Sequence, residues 1–404
     1  MISQPLYNRG DESAHKGLLR KLITAKPDIK IKVVWIGNNQ DCIDQFNVHL
    51  PNVEYINIKG FKGFTKFSNI VAKNNCYWLN YFFSTCRQLL KLYNESDAIL
   101  CAPGGINLGG FQSWNHVYLL NLAKVTNKPL YYYGRSIGPF PTATPDNVKF
   151  KKTAIDILQY MTFISLRDNK SEIEAVNLGI SNAVKTLDSA FLDSPKVEIP
   201  SAIQDIIGNN PYMVFVPNIL IWHYAYRNRI RLETVHHFYC KLIDYIHESM
   251  PNCNIVMLPQ TFNYGNELRD DIHLFNDIAA LKKDPRIIVI SDRYSSDVQQ
   301  TIISGAKCLI GARYHSVVFS VNQAIPFIAL SYEHKISGLL ESLGKTDCMV
   351  DITKSLDSED NMEKTLLEIS KKLNNIKADN AARDKAKSIA NSCFDQFLRT
   401  INKF

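Results

Sequence analysis

Ten short apolar runs limit what this chain can fold into. Five lie in the first half: "IKVVWIG" (31–37), "VEYINI" (53–58), "DAILCA" (97–102), "PLYYYG" (129–134) and "TFISLR" (162–167). Five lie in the second: "YMVFVP" (212–217), "NIVMLP" (254–259), "RIIVIS" (286–291), "KCLIGA" (307–312) and "PFIALS" (326–331). Most are nearly continuously apolar rather than alternating, and helix-period segments separate them. That pattern belongs to parallel strands buried on both faces. Two such sets predict an α/β chain of two doubly wound, Rossmann-like domains. The length of 404 residues agrees with two domains.

The boundary is expected where turn-forming residues gather. "DSPKVEIPSAIQDIIGNNPY" carries three prolines, a glycine and two asparagines. The domains are therefore placed at 1–196 and 211–404, with 197–210 as linker. The tail from 357 to 402 reads as charged helices, with Leu366, Leu367, Ile369 and Leu373 on a buried face.

Composition narrows the function. With 46% hydrophobic and 21% charged residues the chain buries real cores. No apolar run reaches the ~20 residues of a membrane span, and the opening "MISQPLYNRGDESAHKG" has no apolar signal core. The nine cysteines form no C-x-x-C pair, and Cys101 and Cys308 sit in strand-like runs. This reads as a reduced, cytoplasmic protein without a zinc site. The net charge of +7 suits an anionic small molecule or an anionic lipid surface. No nucleic-acid-binding motif is present, so nucleic acid is not expected as a partner.

In open α/β sheets, ligands bind beyond the carboxyl ends of the strands. Two such domains are expected to face each other across a cleft, so the residues after each strand matter most. After 97–102 comes "PGGINLGGFQSW", a glycine-rich stretch expected to turn into a helix and expose backbone N–H groups. After 129–134 comes Arg135. After 162–167 comes "RDNKSE", with Arg167 at the strand end and Asp168 or Asn169 as helix cap. Asp188 follows a short apolar stretch near 184–187. In the second half, "QTFNYG" follows 254–259, and Arg313, Tyr314 and His315 follow 307–312. Tyr332, Glu333, His334 and Lys335 follow 326–331. Arginine matches carboxylate and phosphate in bidentate fashion, and a histidine beside it suits a general acid. These residues point to a small phosphorylated or carboxylated substrate.

Two further stretches interleave aromatics with cations. "KGFKGFTKFSNIVAKNNCYWLNYFF" (59–83) suits a membrane-interface segment or a sugar-stacking wall. In "WHYAYRNRIRLE" (222–233), Trp222, His223, Tyr224 and Tyr226 adjoin Arg227, Arg229 and Arg231.

Several motifs in order resemble the polysaccharide pyruvyltransferases. "YNRGDES" (7–13) is similar to an N-x-G-D-E turn, "APGGINLGG" (102–110) to a glycine-rich turn and "RSIGPF" (135–140) to a glycine-proline turn. "SLRDNKSEIEAVNLGI" (165–180) resembles an R-D-x-x-S block, and "LDSAFLD" (187–193) a D-x-A-F motif. "IGARYHSVVFSVNQAIPFIALSYEHKISGLLESLG" (310–344) resembles G-x-R-x-H followed by Y-x-x-K. The resemblance spans residues 7 to 345.

It implies a fold of the two-domain glycosyltransferase B type. It also implies transfer of the enolpyruvyl carbons of phosphoenolpyruvate to a sugar as a ketal, with phosphate released. His315 is then the acid, and Arg167, Arg313 and Lys335 hold the donor. Gly104, Gly105 and Asn107 line the donor site. Asp188, Asp11 and Glu333 are candidates for the base.

The acceptor would be a lipid-diphosphate-linked sugar at the inner face of a membrane. Trp222 and Tyr224 would stack on it, and Arg227 and Arg229 would meet the diphosphate. No cofactor beyond the co-substrate and no metal is implied. A nucleotide-sugar glycosyltransferase of the same architecture is the alternative, and a glycan- or anion-binding module the non-enzymatic one. The family pattern opens with an apolar strand before the N-x-G-D-E turn, where this sequence has "MISQPL".

Overall fold

The structure, a computed structural model, describes residues 1–2, 8–37, 50–223, 225–262 and 270–401. The chain divides into two compact units. The first comprises residues 1–6, 14–193 and 388–404, the second residues 7–13 and 194–387. This differs from a single cut at 197–210. The main segment of the second unit starts at Ser194, and the expected linker contains a helix, Ser201–Ile207, that buries Ile203 and Ile207. The end of the chain returns to the first unit because Cys393, Phe394 and Phe397 pack with Leu18, Leu22, Tyr131, Tyr133 and Phe163.

In the first unit the strands are β1 (Ile31–Ile36), β2 (Val53–Ile58), β3 (Ile99–Cys101), β4 (Gly104–Gly109), β5 (Leu130–Gly138), β6 (Phe163–Leu166) and β7 (Ala183–Lys185). One sheet runs β3-β5-β6-β7, with β4 also paired to β5, and β1 pairs with β2; every pairing is parallel. Met1 and Ile2 join the two sheets. The Met1 carbonyl accepts the Val34 N–H at 3.0 Å, and the Ile2 N–H donates to Leu100 at 2.9 Å. The order becomes β2, β1, residues 1–2, β3, β5, β6, β7. Counting residues 1–2 as the first strand, this is the 3-2-1-4-5-6 order of a doubly wound sheet, extended by one strand. Met1 and Ile2 thus occupy the strand position that precedes the N-x-G-D-E turn.

The first unit's core follows from the β5 sequence. All nine residues of LYYYGRSIG are buried. Alternation sends Tyr132 to one face of the sheet and Tyr131 and Tyr133 to the other. Helices Phe64–Asn74, Ser84–Glu95, Trp114–Val125 and Pro145–Tyr160 cover the Tyr132 face. Helix Arg9–Ala25 and the last helix, Asn380–Ile401, cover the other.

In the second unit the strands are β8 (Tyr212–Val216), β9 (Asn254–Met257), β10 (Ile287–Val289), β11 (Leu309–Gly311), β12 (Phe327–Ser331) and β13 (Met349–Asp351). They pair in parallel in the order β10-β9-β8-β11-β12-β13, the Rossmann order. The direction of winding reverses between β8 and β11, so a ligand site is expected at their carboxyl ends. In the tail helix Glu359–Leu373, Leu366, Ile369 and Leu373 are buried as expected, but Leu367 is exposed.

Candidate active site

His315 sits at that switch point. β11 ends at Gly311, Arg313 is extended, and helix Tyr314–Gln323 begins at once. His315 is buried in the first turn of this helix. Its imidazole lies against the backbone of Gly10: a Cβ at Gly10 would fall 1.8 Å from His315 Cγ and 1.9 Å from Nδ1. Only a residue without a side chain fits there.

The N-x-G-D-E segment is built to bring Gly10 to this place. Asn8 caps helix Arg9–Ala25, its Oδ1 accepting from Gly10 N–H at 2.8 Å and Asp11 N–H at 3.2 Å. The Arg9 N–H donates to the Gln260 carbonyl at 2.9 Å, which ties the segment to the end of β9. Arg9 pairs with Glu12 at 2.9 Å in the interior and donates to the Arg293 carbonyl at 2.6 Å. Glu12 accepts from the backbone and hydroxyl of Ser296 at 3.2 and 3.1 Å. Asp11 is half-buried beside Gly10.

Arg313 is held by Asp271, in the first turn of helix Asp271–Lys282. The other Asp271 oxygen accepts the N–H groups of Gln260 and Thr261 at 3.0 and 2.9 Å. Burial pushes the Asp271 carboxyl above the usual carboxylate range, while Arg313 and the two N–H groups pull it down. The Gln260 side chain is 1% exposed, and neither its Oε1 nor its Nε2 has a hydrogen-bond partner among the described residues. A buried amide of that kind needs a reason.

The end of β12 adds Tyr332, Glu333 and Lys335. Lys335 Nζ lies 3.6 Å from Glu333 Oε2. Asn218, just beyond β8, donates to the Tyr332 hydroxyl. The His223 ring meets Tyr332 with centroids 5.0 Å apart, so the stretch after β8 lies at the same end of the sheet as Lys335. Burial lowers the His223 pKa and Glu333 opposes it.

Within that stretch Trp222 and Arg227 are exposed, and Tyr224 lies outside the described residues. Tyr226 is buried and donates to the Ile352 carbonyl at 2.7 Å, so it is a core residue and not a stacking surface. Arg229 is engaged with Asp357 at 2.6 Å and with the Ala225 carbonyl at 2.6 Å. "QTFNYG" after β9 is described only to Phe262.

The first unit carries the second cluster. Arg167 follows β6, with Nη1 2.6 Å from Asp188 Oδ2 and Nε 3.4 Å from Ser136 Oγ. Asp188 is fully buried, and its Oδ1 accepts the Ala190 N–H at 3.0 Å. It therefore anchors Arg167 and is not placed as a base, because taking a proton would break a buried ion pair. Asp168 caps the next helix through Ser171 N–H at 2.8 Å, as expected.

Gly104, Gly105 and Asn107 lie on a strand, β4, and not in a tight turn; the following helix starts only at Trp114. Arg135 reaches back to the carbonyls of Ala102 at 2.6 Å and Gly105 at 3.3 Å, and a Cβ at Gly104 would meet its Nη1 at 3.3 Å. The glycine admits the guanidinium that fastens β4. Among the described residues, no group of three or more metal-ligating side chains converges.

The sequence motifs contain Gly10 and Gln260 but give neither a role of its own, and Asp271 lies in none of them. A lone glycine in a helix is an available signal, since it weakens a helix and so implies close packing. Asp271 and Gln260 carry no such mark.

Comparison with known proteins agrees with the geometry. The model of a family described as polysaccharide pyruvyl transferase matches residues 41–334. The amylovoran biosynthesis protein AmsJ of Erwinia amylovora is 22% identical over 380 residues, covering 87% of this chain and 86% of that protein. Among solved structures, the UDP-GlcNAc 2-epimerase of Methanocaldococcus jannaschii is similar with a TM-score of 0.57 and 13% identity, over 96% of both chains. The UDP-GlcNAc 2-epimerase of Neisseria meningitidis is similar with a TM-score of 0.56 and 11% identity, over 98% of both. At such identity these likenesses show the fold alone, the two-domain glycosyltransferase B type.

Proposed function

The chain belongs to the polysaccharide pyruvyl transferase family, and we propose that it takes the pyruvyl group from phosphoenolpyruvate, closes it as a ketal on a sugar of a polysaccharide precursor and releases phosphate. The observation that carries this reading is the His315 imidazole, seated on Gly10 beside the Arg313–Asp271 pair at the switch point of the second unit.

In this reading His315 protonates the methylene carbon of the donor, leaving an oxocarbenium-like C2. A sugar hydroxyl attacks C2 and gives up its proton. The C2–O bond to phosphate then breaks, and a second hydroxyl closes the ketal with loss of its proton. Of the two hydroxyl protons, one replaces that used at the methylene and the other leaves with phosphate. Arg167 and Arg313 neutralise the donor and the departing phosphate, and preorganised charge of this kind is often the largest catalytic contribution. Lys335 adds a further cation, and Gly104, Gly105 and Asn107 contribute the β4 backbone.

Asp11 is the preferred base. It is half-buried and adjoins Gly10, whereas Asp188 is locked to Arg167 and Glu333 adjoins Lys335. The orphaned Gln260 amide supports a polar ligand near the end of β9. The acceptor is a lipid-diphosphate-linked sugar at the inner face of a membrane, met by exposed Trp222 and Arg227.

Thermal unfolding tests the donor. A ligand at ~100 times its Kd adds about 2.7 kcal/mol of stability. Phosphoenolpyruvate should raise the melting temperature of the wild type and not that of Arg313→Ala. Stabilisation by a uridine diphosphate sugar, with none by phosphoenolpyruvate, would replace this reading with glycosyl transfer.

A further inference from the structure

The segment from Lys59 to Asn94 carries six cations and no carboxylate. Its three-residue-per-turn helix, Tyr77–Phe82, sorts its side chains sharply. In such a helix residues i and i+3 share a face. Tyr77 and Asn80 turn inward: Tyr77 stacks on Tyr118 with centroids 5.9 Å apart, and Asn80 accepts from the Tyr118 hydroxyl at 2.8 Å. Trp78, Tyr81 and Phe82 turn outward and are 62%, 65% and 70% exposed.

Cations surround them. Phe61 stacks on Phe83 at 4.8 Å and Phe67 meets Phe83 at 4.5 Å, which brings Lys62 and Lys66 to this end of the helix. The Lys59 carbonyl accepts from Thr85 Oγ1 at 2.8 Å, and Arg87 donates to the Tyr81 carbonyl at 2.8 Å. Lys73 and Lys91 are paired, with Asp146 at 2.7 Å and Glu95 at 3.7 Å. Among the described residues, Lys59, Lys62, Lys66 and Arg87 have no carboxylate partner.

We propose that this face of the first unit docks on an anionic phospholipid surface. Tryptophan and tyrosine are the side chains that settle at the headgroup level, with an apolar ring and a polar edge. Unpaired lysines beside them supply attraction to anionic lipid. An inward pair locked to Tyr118 holds the three rings outward, so they are presented before any contact. The surface rests on the lipid-linked acceptor reading for its purpose, but its binding is measured without donor or acceptor.

The full-length protein would be sedimented with vesicles of phosphatidylcholine alone or mixed with phosphatidylglycerol. Binding to the mixed vesicles should be at least roughly tenfold tighter and should weaken with salt. Combined Trp78→Ala, Tyr81→Ala and Phe82→Ala should abolish it, and combined Lys59→Gln, Lys62→Gln and Lys66→Gln should remove the lipid preference. The melting temperature of both variants checks the fold. Equal partition of wild type and the aromatic variant, or indifference to phosphatidylglycerol, overturns the proposal. So does protection of these rings by a soluble oligosaccharide without vesicle binding. Stabilisation by phosphoenolpyruvate, read on the same samples, separates failure of this surface from failure of the donor reading.

Discussion

Arg167, beyond β6, and Arg313, beyond β11, are built alike. Each follows a buried strand, and each is held by an aspartate that also takes backbone N–H groups: Asp188 from Ala190, Asp271 from Gln260 and Thr261. They differ in their access to solvent. The Arg167 side chain is 5% exposed and its aspartate 0%; the Arg313 side chain is 22% exposed and its aspartate 2%. A buried pair gives up most of its hydration and survives only as a complete unit. A half-open one keeps part of its field for a ligand. The Arg167 pair is thus chiefly a fixed element of the first unit, and the Arg313 pair, beside His315, is the more responsive one.

Variants can break or sharpen this contrast. Asp188→Ala leaves Arg167 uncompensated in the interior and should cost about 3–5 kcal/mol of stability, read by chemical unfolding. Gly10→Ala should displace the His315 ring, because the new Cβ would meet it at 1.8 Å. A misplacement of about 1 Å costs roughly 10²-fold in kcat, and overpacking against the buried ring should also cost about 1–3 kcal/mol of stability. Asp271→Ala should cost about 1–3 kcal/mol of stability, less than Asp188→Ala, while weakening donor binding more. The reverse order would break the contrast. Arg229→Ala, which removes an exposed pair with Asp357, should change stability by under about 1 kcal/mol and leave donor binding alone.

How much of this was legible in the sequence varies by element. Strands buried on both faces announce themselves as unbroken apolar runs, so β8 and β12 stand out. β4 does not: three glycines and an asparagine look like a turn, and it is a strand because it pairs in parallel with β5, whose Arg135 also reaches back to the Ala102 and Gly105 carbonyls. Arg167, Arg313 and His315 are legible because strand ends are where ligands bind. Their partners are not. Asp271 reads as an ordinary acidic residue at a helix start, and Gly10 meets His315 from near the opposite end of the sequence.

The two aromatic and cationic stretches make the same point. In 59–87 the rings of Trp78, Tyr81 and Phe82 face out and, among the described residues, Lys59, Lys62 and Lys66 have no carboxylate partner, whereas Tyr226 is sealed in the core and Arg229 is neutralised. Composition is similar; the backbone direction at each ring decides.

The central claim is that His315 is the proton donor to phosphoenolpyruvate. The direct measurement pairs donor binding by calorimetry with phosphate release, for wild type and His315→Ala. Affinity within a few-fold of wild type, with phosphate release lower by roughly 10²–10⁴-fold, is the expected result. Near-normal release by His315→Ala would contradict the assignment and move the search for the acid to another residue.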